Sequence, residues 1–264
     1  MDRPLINYHA HTWRCQHATG TEEDYIRQAI ASGFEVCGFS DHTPWPYKSS
    51  FVSGMRMRID QLEGYIATVR RLSEEYADRI RIPLGLECEA FPEYYGWLRD
   101  LKAARLDFVI MGNHYDYNDE TGGFYFGDCC RPKEARRYVE RTVDGMRTGI
   151  YDYVAHPDLF LRLFHRFNAD CAAISRDLCQ AAAELNLPLE YNLLGVQRLD
   201  ESHRFGGLGY PCQQFWEVAA QYPVRAIVGL DAHRTDHFTR IDLFEQAWRT
   251  LDALGIEVVT QIGE

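Results

Sequence analysis

Short apolar runs recur along the chain with helix-patterned segments between them, and this alternation constrains the fold more than any other feature of the sequence. The runs are Leu5–Tyr8, Val36–Phe39, Ile80–Leu86, Phe108–Met111, Tyr153–Ala155, Leu187–Tyr191, Ala226–Val228 and Glu257–Ile262, eight strand candidates in all. Between them, Thr21–Ser32 opens with Thr21 and Asp24 spaced like a capping box, and Ile59, Leu62, Ile66, Val69 and Tyr76 keep an apolar stripe at helical spacing. Further helices fit Lys133–Thr148, Ala172–Leu185, Gln213–Gln221 and Ile241–Leu254, with Pro132 near a start and Gly149 and Gly255 just past ends. Alternating strand and helix implies parallel strands joined by right-handed crossovers, and seven or eight such units favour closure into a barrel, with an open doubly wound sheet as the alternative. With no low-complexity segment, repeat or Pro/Gly/Ser linker, residues 1–264 read as a single α/β domain. Thr43–Gly54 and Tyr115–Arg131 are long enough to be loops over a site.

The 46% hydrophobic content over 264 residues is sufficient for a full core. No basic N-terminal start precedes an apolar run, and no apolar run reaches about 18 residues, so the expectation is a cytoplasmic enzyme without a membrane partner. The eight cysteines form no CxxC pair and read as reduced thiols, several of them in apolar strand or helix patterns (Cys37, Cys88, Cys179). A formal charge of −11 argues against a nucleic-acid-coating surface and in favour of a small substrate. An anionic substrate would then need local positive charge from metal ions or individually placed arginines. The sequence does not specify an oligomeric state.

Parallel barrels carry their chemistry at the carboxyl ends of the strands. Here those ends hold His9 and His11, Asp41 and His42, Glu87 and Glu89, His114, His156, and Asp231 with His233; strand six departs with Glu190 and Asn192. Residues two apart in a strand point to one face, so His9 with His11, and Asp231 with His233, can each present two ligands to one cavity. Imidazole with carboxylate suits zinc, manganese or iron, and the lack of cysteine at these positions argues against a structural thiolate zinc. A single HxH is common by chance. Seven of ten histidines at strand ends or in the loop after strand one is different, because burying so many titratable rings without a shared partner is costly. His165, His203 and His237 lie in polar contexts and read as solvated.

The stretches NYHAHTWRCQHATGT, GFSDHTP, MRMRIDQLEGYIATVRRL leading into IPLGLECE, MGNHYDY, AHPDL and VGLDAHRTD, in this order across Asn7–Asp236, resemble the PHP (polymerase and histidinol phosphatase) superfamily, and within it the histidinol-phosphatase branch. The resemblance implies a distorted seven-stranded (β/α) TIM-like barrel holding three divalent ions of zinc, manganese or iron. Matched residue by residue, His9, His11, Glu87 and Asp231 would hold one ion, Glu87 bridging to a second that takes His114 and His156, and His17, His42 and His233 would hold the third. It implies hydrolysis of L-histidinol phosphate, in histidine biosynthesis, by in-line attack of a metal-bound hydroxide held through Glu87 and Asp231.

Asp41, beside His42, is a candidate general acid or positioning partner, with a helix cap as the equally weighted alternative. Arg162, after AHPDL, and Arg198, after Asn192-x-x-Gly195, are placed to bind phosphate, since a guanidinium fork matches phosphate oxygens in pairs. Relatives tend to read Asn-Thr-Ser-Gly-Leu-Arg here, whereas this chain has Leu193 and Leu194 in place of small polar residues and Gln197 at the arginine position. Either a shifted loop still delivers Arg198 or the substrate preference has changed. The competing readings are a PHP phosphoesterase for another small phosphate, such as a nucleotide bisphosphate or a phosphodiester, and a non-catalytic metal-binding module. Glu89, Tyr115 and Tyr117 are candidates for reading the imidazole and amine of a histidinol-like substrate.

Overall fold

The computed structural model describes residues 3–262; residues 1–2 and 263–264, included in the single-domain expectation, lie outside that description. Strands and helices alternate as β1 (Ile6–Asn7), α1 (Glu22–Ala31), β2 (Val36–Cys37), α2 (Leu62–Glu75), β3 (Gly85–Cys88), α3 (Tyr95–Arg105), β4 (Phe108–Met111), α4 (Pro132–Met146), β5 (Tyr153–Val154), α5 (Ala169–Glu184) and β6 (Leu189–Asn192). There follow α6 (Leu193–Gln197), α7 (Leu199–Arg204), α8 (Gln213–Ala219), β7 (Arg225–Gly229), α9 (Ile241–Ala253) and β8 (Glu257–Val258).

All strand pairs are parallel. One ladder runs β3-β4-β5-β6-β7-β8 and a second joins β1 to β2. The two meet on both sides. Beside β2, Cys37 N–H donates to Arg81 O (3.0 Å) and Phe39 N–H to Pro83 O (3.1 Å); beyond β1, Ala232 N–H donates to His9 O (3.1 Å) and His11 N–H to Ala232 O (2.8 Å). The first seven strands therefore follow one another around a ring, distorted because two of its joints are isolated bridges. β8 pairs with the first residues of β7, while β1 reaches the chain just past the other end of that strand.

The two-residue period of the strands sorts side chains into two layers. Inward-facing Ile6, Tyr8, Val36, Phe108, Ile110, Tyr153, Ala155 and Ile227 fill the ring, whereas Cys37, Val109, Met111, Val154, Leu189 and Val228 pack outward under the helices. The interior is filled tightly: a Cβ on Gly85 would stand 2.5 Å from Cζ of Phe108. Continuing the inward register leads from Gly85 to Glu87 and Glu89, and from Ile227 to Gly229 and Asp231. Polar side chains thus sit directly on an apolar plug. After Tyr8 the alternation slips by one, since Ala10 joins the outer core and His9 and His11 turn inward.

Thr21 caps α1, and the Thr21–Asp24 capping box is present. α2 starts at Leu62 because a 3-10 turn, Ile59–Gln61, precedes it. Three helices were not expected. α3 fully buries only Leu98 and packs Trp97 and Leu101 partly against the core, and α6 and α7 occupy what the sequence presents as a loop after strand six. The third strand also begins later than Ile80: in residues 80–84 the pairing is limited to isolated bridges, Arg81 with Val36 of β2 and Leu84 with Phe39 just beyond it. Among the described residues no helix is long and apolar enough to cross a membrane, and all eight cysteines are free.

Candidate metal centre

Glu87, carried inward by β3 and 1% exposed, is the point on which the other side chains converge. Its Oε1 lies 3.0 Å from His156 Nε2, 3.5 Å from His9 Nε2 and 3.6 Å from His114 Nε2. Its Oε2 lies 2.9 Å from His42 Nδ1 and 3.4 Å from His11 Nε2. Asp231 Oδ1 lies 3.2 Å from His11 Nε2 and 3.4 Å from both His9 Nε2 and His233 Nδ1. His17, on the loop after β1, brings its Nε2 to 3.0 Å from Nε2 of His233. His156 and Asp231 both adopt left-handed backbone (φ 32° and 48°), a conformation costly for residues with a Cβ and one that recurs at functional sites.

These donors fit divalent cations. His9 Nε2, His11 Nε2, His42 Nδ1 and Glu87 Oε2 are buried without a well-formed hydrogen bond, and at most one of the facing nitrogens of His17 and His233 can carry a proton. Ligand atoms fall within 4.8 Å of one another in the groups His9–His11–Asp231, Glu87–His114–His156 and His17–His42–His233, with His11–His42–Glu87 and His11–Cys15–His233 between them. The nine expected ligand residues are therefore brought together, in overlapping groups; Glu87 falls with His114 and His156 and with His11 and His42 rather than with His9, His11 and Asp231. Cys15, which the sequence resemblance does not include, stands beside them.

The electrostatics point the same way. Burial disfavours the charge on Glu87, but His42, His114 and His9 hold its carboxyl well below the usual range. Asp231 is likewise held down, against burial, by His9, His11 and His233. Burial depresses His42 well below its ordinary value and His233 to about 3, which favours the form of each ring that offers a lone pair. His9 goes the other way: burial opposes its charged form, yet Glu190, Asp231 and Glu87 outweigh it. Extra positive charge, whether a proton or a cation, is what this cluster calls for.

A ring of acceptors orients the donors from behind. Glu190, inward on β6, takes His9 Nδ1 at 2.8 Å, His156 N–H at 3.2 Å and Asn192 Nδ2 at 2.8 Å. Glu89 takes His114 Nδ1 at 2.9 Å and the N–H groups of His114 (2.5 Å) and Tyr115 (3.1 Å). An imidazole pinned this way through one nitrogen presents the other to a cation. His237, expected to be solvated, is instead half-buried, and its Nδ1 accepts the N–H of His233 at 3.4 Å. Sequence inspection places Glu190 and Asn192 at a strand end without a role; their two-residue spacing, shared with Glu87 and Glu89, is the signal that would have found one.

The centre opens into a cavity of about 320 Å³ lined also by Gly54, Met55, Tyr115, Tyr125, Leu159, Leu194, Arg198 and Tyr210. Gly54 and Tyr115 come from the two long loops. Arg198 does reach the wall: α6, capped by Asn192 accepting from Gly195 N–H at 2.8 Å, turns the chain so that Gln197 bonds back to Leu193 O and Arg198 follows at the helix end. Arg162 sits at the rim, 5.9 Å above the ring of Tyr125. Asp41 does not line the cavity. Its two oxygens accept Thr12 N–H (2.9 Å) and Thr12 Oγ1–H (2.7 Å), while burial pushes it up to about 7, and it caps none of the described helices. Two of the three residues considered for reading the leaving group also stand elsewhere, since Glu89 is fully buried and Tyr117 is exposed between Arg137 and Arg141.

The chain is similar to known proteins. A histidinol-phosphatase of Bacillus subtilis is 25% identical over 252 residues, covering 86% of this chain and 92% of its own. A probable histidinol-phosphatase of Deinococcus radiodurans is 28% identical over 243 residues, covering 87% and 86%. The crystal structure of histidinol phosphate phosphatase from Lactococcus lactis, complexed with zinc, L-histidinol and phosphate, superposes with a TM-score of 0.73 at 18% identity over 98% of this chain and 96% of that one, which establishes the shared fold. The PHP domain model matches residues 7–194, from the end of β1, just before His9 and His11, to the start of α6. With the match spanning well over half its length, the chain belongs to the PHP domain family.

Proposed function

We propose that this chain, acting as one domain, is a metal-dependent phosphomonoesterase that hydrolyses L-histidinol phosphate to L-histidinol and phosphate. The observation that carries the reading is the clustering of nine imidazole and carboxylate side chains, buried Glu87 among them, at the floor of a cavity whose wall also holds Arg198. Its similarity in sequence to two histidinol-phosphatases over most of its length supports the substrate.

We assign three divalent ions of zinc, manganese or iron to His9, His11 and Asp231; to Glu87, His114 and His156; and to His17, His42 and His233. Bound there, such ions supply charge neutralisation for the phosphoryl oxygens and acidify a water at neutral pH. The chain's own residues do the rest. Arg198 offers a planar fork to the phosphoryl oxygens, and Arg162 adds positive charge at the rim. Tyr115, Tyr125, Tyr210, Met55 and Leu194 form an aromatic and apolar wall for an imidazole-bearing leaving group. Asp41 fixes the Thr12 backbone and hydroxyl directly after His11, a positioning role.

The test is to measure bound metal and phosphate release from L-histidinol phosphate beside a panel of sugar, nucleotide and amino-alcohol phosphates. Metal together with a clear preference for L-histidinol phosphate is the expected result. A large preference for a nucleotide would overturn the substrate and leave the chemistry standing, whereas absence of both metal and phosphate release would overturn the enzyme reading.

A further inference from the structure

Arg56 is 1% exposed, and its guanidinium lies between two carboxylates of different character. On one side Nη2 donates to Glu89 Oε1 at 2.7 Å, the same oxygen that takes His114 Nδ1 at 2.9 Å. On the other, Nε lies 3.2 Å from Asp119 Oδ2. Asp119 in turn holds the two loops together: it accepts from the hydroxyls of Tyr47 and Ser53, the latter at 2.6 Å, while its neighbour Glu120 accepts the N–H groups of Lys48 (3.2 Å) and Ser49 (2.8 Å). The carbonyl of Arg56 accepts from Gln16 Nε2 at 2.6 Å, next to His17. One buried cation thus links the loops that supply Gly54 and Tyr115 to the cavity with a candidate metal ligand.

A buried ion pair is weak evidence for stability, because desolvation offsets the Coulomb gain. Nη1 of Arg56 is moreover buried without a partner, so the site is not optimised for satisfaction. What the arrangement does provide is a mechanical link, since His114 cannot turn without disturbing Glu89 and Arg56, and the loops cannot part without releasing Asp119.

We propose that Arg56 is a positioning residue: through Glu89 it fixes His114 for a divalent ion, and through Asp119 it makes ion binding and apposition of the two loops mutually stabilising. This rests on the reading of His114 as a ligand. Coupling of this kind is reciprocal, so zinc should protect the loops by the factor by which loop apposition tightens zinc.

The experiment is hydrogen–deuterium exchange on the full chain, with and without Zn²⁺, following peptides that cover residues 43–54 and 115–131, beside zinc affinity from chelator competition. In the parent protein zinc is expected to slow exchange in both loops by on the order of ten-fold. Asp119→Asn, at a partly exposed position, should abolish most of that protection. Arg56→Lys keeps the charge but cannot fork between two carboxylates, and should weaken zinc binding by about 10–100-fold. Equal zinc protection of the loops in parent and Asp119→Asn, or zinc affinity unchanged in Arg56→Lys, would overturn the proposal. Phosphate release from L-histidinol phosphate is measured alongside: zinc-dependent protection without release overturns the functional reading alone, and release without protection overturns the coupling alone.

Discussion

A Cβ placed on Gly112 would stand 1.9 Å from Oε1 of Glu87. Gly112 continues the inward register of β4 past Ile110, at the level where β3 presents Glu87, and only a residue without a side chain leaves room for the carboxylate there. Gly112→Ala must therefore displace Glu87 from its contacts with His156 and His42. The expected outcome is a protein that keeps its far-ultraviolet circular dichroism but loses bound metal and most phosphatase activity; normal metal content in this variant would show that the carboxylate position is not critical. Gly229 stands in the same relation to Glu190, 2.0 Å from its Oε1.

Glu190 holds His9 Nδ1 and does not line the cavity, so under the proposed function its contribution is to fix one ring nitrogen while the other faces the candidate metal site. Glu190→Gln keeps the volume and removes the charge that favours this orientation. Second-layer changes of this kind cost about 10–100-fold in metal affinity, which chelator competition would read directly. An affinity within a factor of two of the parent would remove Glu190 from the machinery.

The alternation of parallel strands with helices and the imidazoles and carboxylates at strand ends were legible because both signals are periodic, whereas the seven-stranded ring and the full set of nine candidate ligands, His17 among them, came from the resemblance of the motifs to a family. What the sequence conceals is what depends on shape or on long-range partners. α3, by contrast, went unassigned although Tyr94, Trp97, Leu98 and Leu101 keep helical spacing and pack on the core, so that element was legible and was missed. The turn through α6 that delivers Arg198 despite Gln197 depends on Asn192 capping a helix of five residues, which no apolar pattern announces. The roles of Glu89, Glu190 and Arg56 are set by neighbours 25, 181 and 33 residues away in the chain, and Gly112 is ordinary until Glu87 is seen behind it. Asp41 is ambiguous in sequence for the same reason, because Thr12, which occupies both its oxygens, lies 29 residues earlier.

Arg198 lines the cavity and Arg162 only borders it, and this difference in placement predicts a difference in effect. A hydrogen bond to a charged group contributes about 1.5–3 kcal/mol, so Arg198→Ala should lower kcat/KM for L-histidinol phosphate by roughly 10–100-fold. Arg162→Ala should act mainly on KM, and by less, with kcat near that of the parent. Equal losses in both variants would place Arg162 in direct contact with the substrate, and unchanged kinetics for Arg198→Ala would remove the shifted-helix explanation of the Gln197–Arg198 departure.

The cysteines provide a test of the core that is independent of activity. Seven are buried and Cys130, just before α4, is exposed. Burial pushes Cys15 and Cys212 up to about 12, and the thiolate is the reactive form, so these groups are shielded both sterically and by protonation. Native protein treated with an aromatic disulfide reagent at pH 8 should release one equivalent rapidly, and all eight after denaturation. Cys130→Ser should abolish the rapid phase. The sharper arm of the test concerns Cys15, which lies with His11 and His233: if the histidine cluster is held by the fold around it, stripping metal with a chelator leaves Cys15 unreactive. A second rapid equivalent that appears only after chelation, and vanishes in Cys15→Ala, would show instead that the loop carrying Cys15 and His17 depends on bound cation for its structure.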